Sequence, residues 1–198
     1  MKTKSYTTNH ERFRRLSDLE LFKLIQERDK GALETIFNRH YDGLCRFGLS
    51  YTNEQNSVEE VVSDVFLQLW NNETRIQEIR NPKPYLYVVV KNKLLQAISK
   101  SNLKQSFDQG FEAEYTTSPS IEQQIINQEE KEIFSQKIEE ILCQIPKKSR
   151  QIFEMSRLDE LKYREISEIL GISVKTVESH MAHALKIIRS TVLKKKQY

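Results

Sequence analysis

The chain is poor in residues that break or turn a backbone, with 5 glycines and 4 prolines among 198 residues. A β-sandwich or a doubly wound sheet needs such residues at nearly every connection, so both are disfavoured and helices are expected. Cysteine is equally scarce. Cys45 and Cys143 lie far apart and outside any CxxC spacing, which argues for reduced thiols in a cytoplasmic protein rather than a disulfide. Long apolar runs are missing too: the longest, Tyr85 to Val90, is far too short to cross a bilayer, and the polar stretch Met1 to Leu16 holds no signal-peptide core. Neither secretion nor direct membrane insertion is expected. There is no Gly-rich phosphate loop, no nucleophile elbow and no paired-carboxylate constellation, so the chain is expected to be no enzyme, with no catalytic residue and no cofactor.

What is present is aromatic and charged. Nine Phe and eight Tyr are too many for wholesale disorder, even at a mean hydropathy of -0.62. The net charge of +3 makes no case for nucleic acid by itself, but its distribution does. From Lys162 to the end, eight basic residues face three acidic ones; from Ser101 to Ile145, nine acidic residues face three basic ones. A basic end tethered through an acidic middle points to an anion-binding module held apart from its neighbours, although a solvated helical surface would look the same.

These patterns predict an all-α protein of two small helical domains. A polar tail (1–16) precedes a helical bundle (17–100), a flexible linker (101–120) and a second helical domain (121–198). In the bundle, Ser17 and Asp18 can cap a helix carrying Leu21, Leu24 and Ile25, and a second helix follows Gly31 with Leu33, Ile36, Phe37, Leu44 and Phe47. The third starts from a capping box of Ser57 and Glu60, with Val58, Val61, Val62, Val65 and Leu69 on one stripe. The fourth runs from Tyr85 to about Lys100 behind Asn81-Pro82-Lys83-Pro84.

Opposite its valine stripe, the third helix carries Glu60, Ser63, Asp64, Leu67 and Trp70. The only Trp of the chain beside a leucine and two carboxylates suits a protein interface, unless Trp70 folds into a neighbouring helix as core. On the fourth helix, Leu86, Val90, Leu94, Ala97 and Ile98 form the inward stripe, which leaves Tyr85, Val88, Val89, Asn92, Gln96 and Ser99 outward, edged by Lys83, Lys91, Lys93 and Lys100. Lysines neutralise phosphates, Asn and Gln read bases, and an aromatic stacks on an unpaired one, so this face can hold a nucleic-acid strand; the other reading is an ordinary polar face.

The most specific signal lies in the last third. Ile166 and Leu170 mark a short helix, Gly171 a tight turn, Ile172 a plug between helices and Ser173 the cap of the next helix. Val177, Met181, Ala184 and Ile188 then point inward, while Lys175, Ser179, Ala182, His183 and Lys186 project from the other side. A Gly turn between two amphipathic helices is open to two readings, a plain αα-hairpin or a helix-turn-helix, and the full spacing with the basic outward face favours a helix-turn-helix whose recognition helix puts its early residues into a major groove. His180 and His183 stand three apart but point to different sides with no further ligands nearby, so no metal site is expected.

With these motifs in view, the chain resembles the small two-domain bacterial sigma factors of the extracytoplasmic-function (ECF) group of the sigma-70 family, from about Leu16 to Leu193. Asn56 to Trp70 resembles the region 2.2 helix, which docks on the clamp coiled coil of RNA polymerase. Pro84-Tyr85-Leu86-Tyr87 and Asn92 resemble regions 2.3 and 2.4, which melt and read the minus-ten element, and Leu161 to Arg189 resembles the minus-thirty-five-reading region 4.2. The resemblance implies a cytoplasmic initiation factor whose Glu60, Ser63, Asp64, Leu67 and Trp70 bind core RNA polymerase. It implies promoter DNA contacts from Lys83, Tyr85, Asn92, Lys93, Gln96 and Lys100 at the minus-ten element. At the minus-thirty-five element it implies contacts from Ser173, Lys175, Thr176, Ser179, His183 and Lys186. An anti-sigma partner, in this family sometimes membrane-linked, is implied as well. Tyr85, Gln96 and His183 depart from the residues frequent in the family, which bears on which promoter is read. The rival readings are a LuxR-like response-regulator effector, which shares the Thr176-Val177-Glu178-Ser179-His180 segment, and a small helical enzyme; the first normally carries a receiver domain, and no alternating strand pattern for one is present.

Overall fold

The computed structural model describes residues 12–71, 78–105, 138 and 140–195, and every regular element among them is a helix. Four helices form the N-terminal block: α1 (Asp18–Gln26), α2 (Lys30–Leu49), α3 (Gln55–Asn71) and α4 (Pro82–Gln105). Three form the C-terminal block: α5 (Lys147–Arg157), α6 (Tyr163–Leu170) and α7 (Val174–Lys195).

Local chemistry sets most of the starts. Ser17 caps α1 through a capping box, its Oγ accepting from Glu20 N–H while the Glu20 carboxylate accepts from Ser17 N–H at 2.7 Å. Asp29 caps α2 by accepting from the N–H groups of Gly31 and Ala32, so the helix opens one residue before the glycine expected to precede it. The capping box expected at Ser57 does not form. Helix α3 already begins at Gln55, and the Ser57 hydroxyl donates sideways to Glu54 at 2.9 Å. Helix α4 begins at Pro82, three residues before the sequence expectation, because a proline in the first turn loses no intrahelical hydrogen bond. It runs on to Gln105, beyond the domain boundary expected at 100; the rest of the expected linker lies outside the described residues.

The stripes of α3 and α4 build the core. Val58, Val62, Val65 and Leu69 are buried, each worth about 1.5–3 kcal/mol if wholly removed from water. Phe66 joins them and Val61 sits at the edge. On α4, Leu86, Val90 and Leu94 turn inward as expected, whereas Ala97 is exposed and Tyr87 is buried. Tyr87 packs edge-on against Phe47, ring centroids 5.0 Å apart.

The blocks are not held apart. Ile152, Met155, Leu161, Ile166, Ile169 and Val177 of the C-terminal block belong to the same apolar cluster as the four-helix bundle. Polar contacts frame this seam: Arg46 Nη2 donates to Asp159 Oδ1 at 2.6 Å, Gln151 Nε2 to Ser50 Oγ at 2.7 Å and Lys91 Nζ to the Ile169 carbonyl at 2.5 Å. A smaller cluster of Leu142, Ile145 and Ala184 holds α7 to the start of its own block.

Candidate nucleic-acid and protein interfaces

The outward side of α3 is a mixed surface. Glu60 and Asp64 are exposed, Ser63 is half-buried against Tyr41, and Leu67 keeps 59% of its surface in water. Trp70 divides between its two readings. One side packs on the bundle core; the other lies under the Arg28 guanidinium, 5.2 Å from the ring centroid, and Arg28 Nη1 also donates to the Trp70 carbonyl at 2.8 Å. The exposed apolar residue on this face is therefore Leu67, with Trp70 half-buried at its end.

Asp64 Oδ2 lies 3.9 Å from Lys93 Nζ, so this surface adjoins the polar side of α4. There Tyr85, Asn92, Gln96 and Lys100 are exposed along one side of α4, Lys93 is half-buried at its edge, and Lys83, half-buried in the first turn, stands on the side of the buried Leu86 and Val90 instead. Ser99 is exposed as expected, while Val88 and Val89 are half-buried against the core. The turn before α4 adds residues that periodicity could not find: Glu78, Ile79, Arg80 and Asn81 form, with Tyr85 and Val89, an open groove of about 680 Å³. An aromatic wall, an amide and a guanidinium at the rim of a lysine-edged helix can stack and hydrogen-bond a base that has left its pair. The dense turn chemistry of Asn81-Pro82-Lys83-Pro84 was the available signal.

The helix-turn-helix is α6 and α7. Gly171 ends α6 in the left-handed conformation, φ +67°, where a side chain would strain the backbone, and its N–H returns to the Ser167 carbonyl. Ser173 Oγ accepts from Thr176 N–H at 3.0 Å and bonds the Thr176 hydroxyl at 2.8 Å, so these two residues cap the helix. Val177, Met181 and Ala184 are buried, and Lys175, Ser179, Ala182, His183 and Lys186 are exposed together. Ser179 donates to the Lys175 carbonyl at 2.9 Å. His180 turns toward α5, its Nδ1 3.0 Å from Ser149 Oγ, away from His183. Among the described residues no group of three or more His, Cys, Asp or Glu could hold a metal, and no helix is long and apolar enough to cross a membrane.

Comparison with known proteins covers both blocks. The Sigma-70 region 2 family matches residues 36–103, and the Sigma-70, region 4 family matches residues 135–188. The ferric citrate uptake sigma factor FecI of Escherichia coli is 23% identical over 156 residues, 78% of this chain and 87% of that protein. The ECF RNA polymerase sigma factor SigL of Mycobacterium tuberculosis is 22% identical over 168 residues, 83% of this chain and 90% of that one. Two solved structures share the fold at 16% identity. CnrH in complex with the cytosolic domain of CnrY superposes with a TM-score of 0.53 over 88% of this chain and 96% of its own. The sigma factor RpoE in complex with the anti-sigma factor NepR, from Bartonella quintana, gives 0.54 over 80% and 95%.

Proposed function

The chain belongs to the sigma-70 family, as an ECF sigma factor, and from that premise we propose how its surfaces divide the work of promoter-specific initiation. The outward side of α3 binds core RNA polymerase through Leu67 and the edge of Trp70, with Glu60, Ser63 and Asp64 supplying polar and steering contacts. The polar side of α4 takes the minus-ten element as a melted strand: Lys83, Lys93 and Lys100 meet phosphates, Tyr85 stacks, and Asn92 and Gln96 meet base edges. The start of α7 enters the major groove at the minus-thirty-five element. Lys175, Ser179 and His183 reach base edges, Lys186 a phosphate, and Ser173 and Thr176 present the helix N-terminus to the backbone.

The observation that carries this reading is the arrangement along α3 and α4. A protein-binding surface and a strand-binding surface touch at Asp64 and Lys93, on two helices locked by one core, so polymerase bound to the first sets the register of DNA on the second. CnrH and the sigma factor RpoE are each seen bound to a second protein, and the latter's partner is named an anti-sigma factor. We extend such a partner to this chain, together with a place in the cytoplasm, where polymerase and promoter are. The test is DNA protection by the reconstituted complex with core polymerase. Two separated footprints upstream of a start site support the division of labour. One footprint, at the upstream element alone, would reduce the chain to an ordinary helix-turn-helix binder.

A further inference from the structure

We propose that Arg28, in the turn between α1 and α2, is a positioning residue of the polymerase surface: it holds the Trp70 ring on the bundle so that the ring's edge stands ready beside Leu67. This rests on the reading of the outward side of α3 as that surface. The turn itself gives the first argument. Arg28 N–H donates to the Ile25 carbonyl and Asp29 N–H to the Leu24 carbonyl, both at 3.0 Å, a pair of bonds that closes α1 through a residue in the left-handed conformation. That residue is Arg28, with φ +64°. Glycine takes up this conformation freely, whereas an arginine strains its backbone there. Asp29, next in the chain, is already the cap of α2, so the turn has no spare residue to relieve the strain. The backbone gives no reason for an arginine, and its side chain does.

That side chain reaches the far end of α3, 42 residues away in sequence. Its Nη1 donates to the Trp70 carbonyl at 2.8 Å, and its guanidinium carbon lies 5.2 Å from the centre of the indole ring. Carbonyls in the last turn of a helix have no partner within the helix, and the negative end they form favours a cation. Helix α3 carries no basic residue of its own in that turn. Arg28 supplies both the donor and the charge from outside, and the same guanidinium covers the side of the ring turned away from the core.

With the bundle core on one side of the indole and the guanidinium on the other, the ring has little freedom left. Its edge is what remains for a partner. Trp70 stands one helical turn beyond the exposed Leu67, so the two present their apolar surface in a fixed relation. A side chain already ordered in the free protein loses less entropy when a complex forms, which is how Arg28 sets affinity through Trp70 without a polymerase contact of its own.

The experiment uses the full-length protein with Arg28→Ala or Arg28→Lys; Arg28 is exposed, and circular dichroism checks that the helices are kept. Trp70 is the only tryptophan, so fluorescence of the free protein reads this ring alone. Acrylamide should quench it more strongly in Arg28→Ala than in wild type, with Arg28→Lys between the two, since an ammonium keeps the charge but loses the planar stack. In titrations of labelled core polymerase, Arg28→Ala should weaken binding about two- to tenfold, the cost of ordering one released side chain. The same substitution made in Trp70→Ala should weaken it no further, because Arg28 acts through the ring. Unchanged quenching in Arg28→Ala would overturn the hold on Trp70. Wild-type affinity in Arg28→Ala, beside weakened binding in Leu67→Ala, would overturn the role in binding. Losses that add in the double variant, or full rescue of affinity by Arg28→Lys, would overturn positioning and make Arg28 a direct charge contact. Wild-type affinity in both Arg28→Ala and Leu67→Ala would refute the polymerase surface itself, a separate failure, because the free-protein fluorescence decides the hold on the ring without polymerase.

Discussion

Leu67 offers a sharp separation of binding from folding. It keeps 59% of its surface in water on α3, two residues before Leu69, which is 5% exposed in the core. Wholly burying a leucine side chain is worth about 1.5–3 kcal/mol. A partner that covers the exposed part of Leu67 and loses it to alanine should therefore forfeit about 1–1.5 kcal/mol, or roughly five- to twelvefold in Kd for core polymerase. The same substitution should change folding stability by no more than about 0.5 kcal/mol, because little of the side chain is in the core. Leu69→Ala should do the reverse, costing about 2–5 kcal/mol of stability. Titration of labelled core polymerase with each variant, paired with denaturant unfolding, reads both quantities. Wild-type affinity in Leu67→Ala, with an unchanged unfolding midpoint, would refute the placement of polymerase on this surface.

Other perturbations act on the recognition helix, the turn before it and the buried phenol of α4. Lys175→Ala should cost about 1–3 kcal/mol at the cognate minus-thirty-five sequence if the lysine reads a base, and weaken binding evenly over all sequences if it meets only phosphate; a footprint unchanged in the Lys175→Ala, Ser179→Ala double variant would reject both. Gly171→Ala should cost about 1–2 kcal/mol by thermal unfolding through backbone strain alone, since no atom lies within 4 Å of where the methyl would go. Burial and then the neighbouring Asp159 carboxylate raise the Tyr87 phenol far above its ordinary value of 10.0. A raised phenol stabilises the fold fully below the unfolded value, so stability should fall as pH rises beyond about 10, and fall less steeply in Tyr87→Phe; equal slopes would contradict the burial of its hydroxyl.

How much was legible in advance depended on whether a residue's role is local. The valine stripe of α3 and the helix-turn-helix were readable because burial recurs with the helical period and because Gly171 and Ser173 carry turn and cap chemistry in their own side chains or lack of one. The start of α3 was misplaced, because Ser57 and Glu60 have the spacing of a capping box but the helix had already begun at Gln55. Tyr87 defeated periodicity for a different reason. Its position faces α2 and Asp159 at once, so it is buried by a helix of its own block and by a turn more than 70 residues away. Arg46, Lys91 and Asp159 look like surface charges in sequence, and only the packing of one block on the other makes them partners. Charge patterning suggested separated blocks because it counts charges and not the apolar faces of α5 and α6 that join the common core.

Whether this chain directs core RNA polymerase to promoters is read from transcription of genomic DNA of the source organism. Core polymerase is supplied with or without the full-length protein, and the 5′ ends of the transcripts are mapped. A set of discrete start sites should appear only with the protein, share two upstream elements, and weaken on Leu67→Ala and on Lys175→Ala alike. Transcripts whose start sites are the same with and without it, from a polymerase to which the protein demonstrably binds, would contradict the claim.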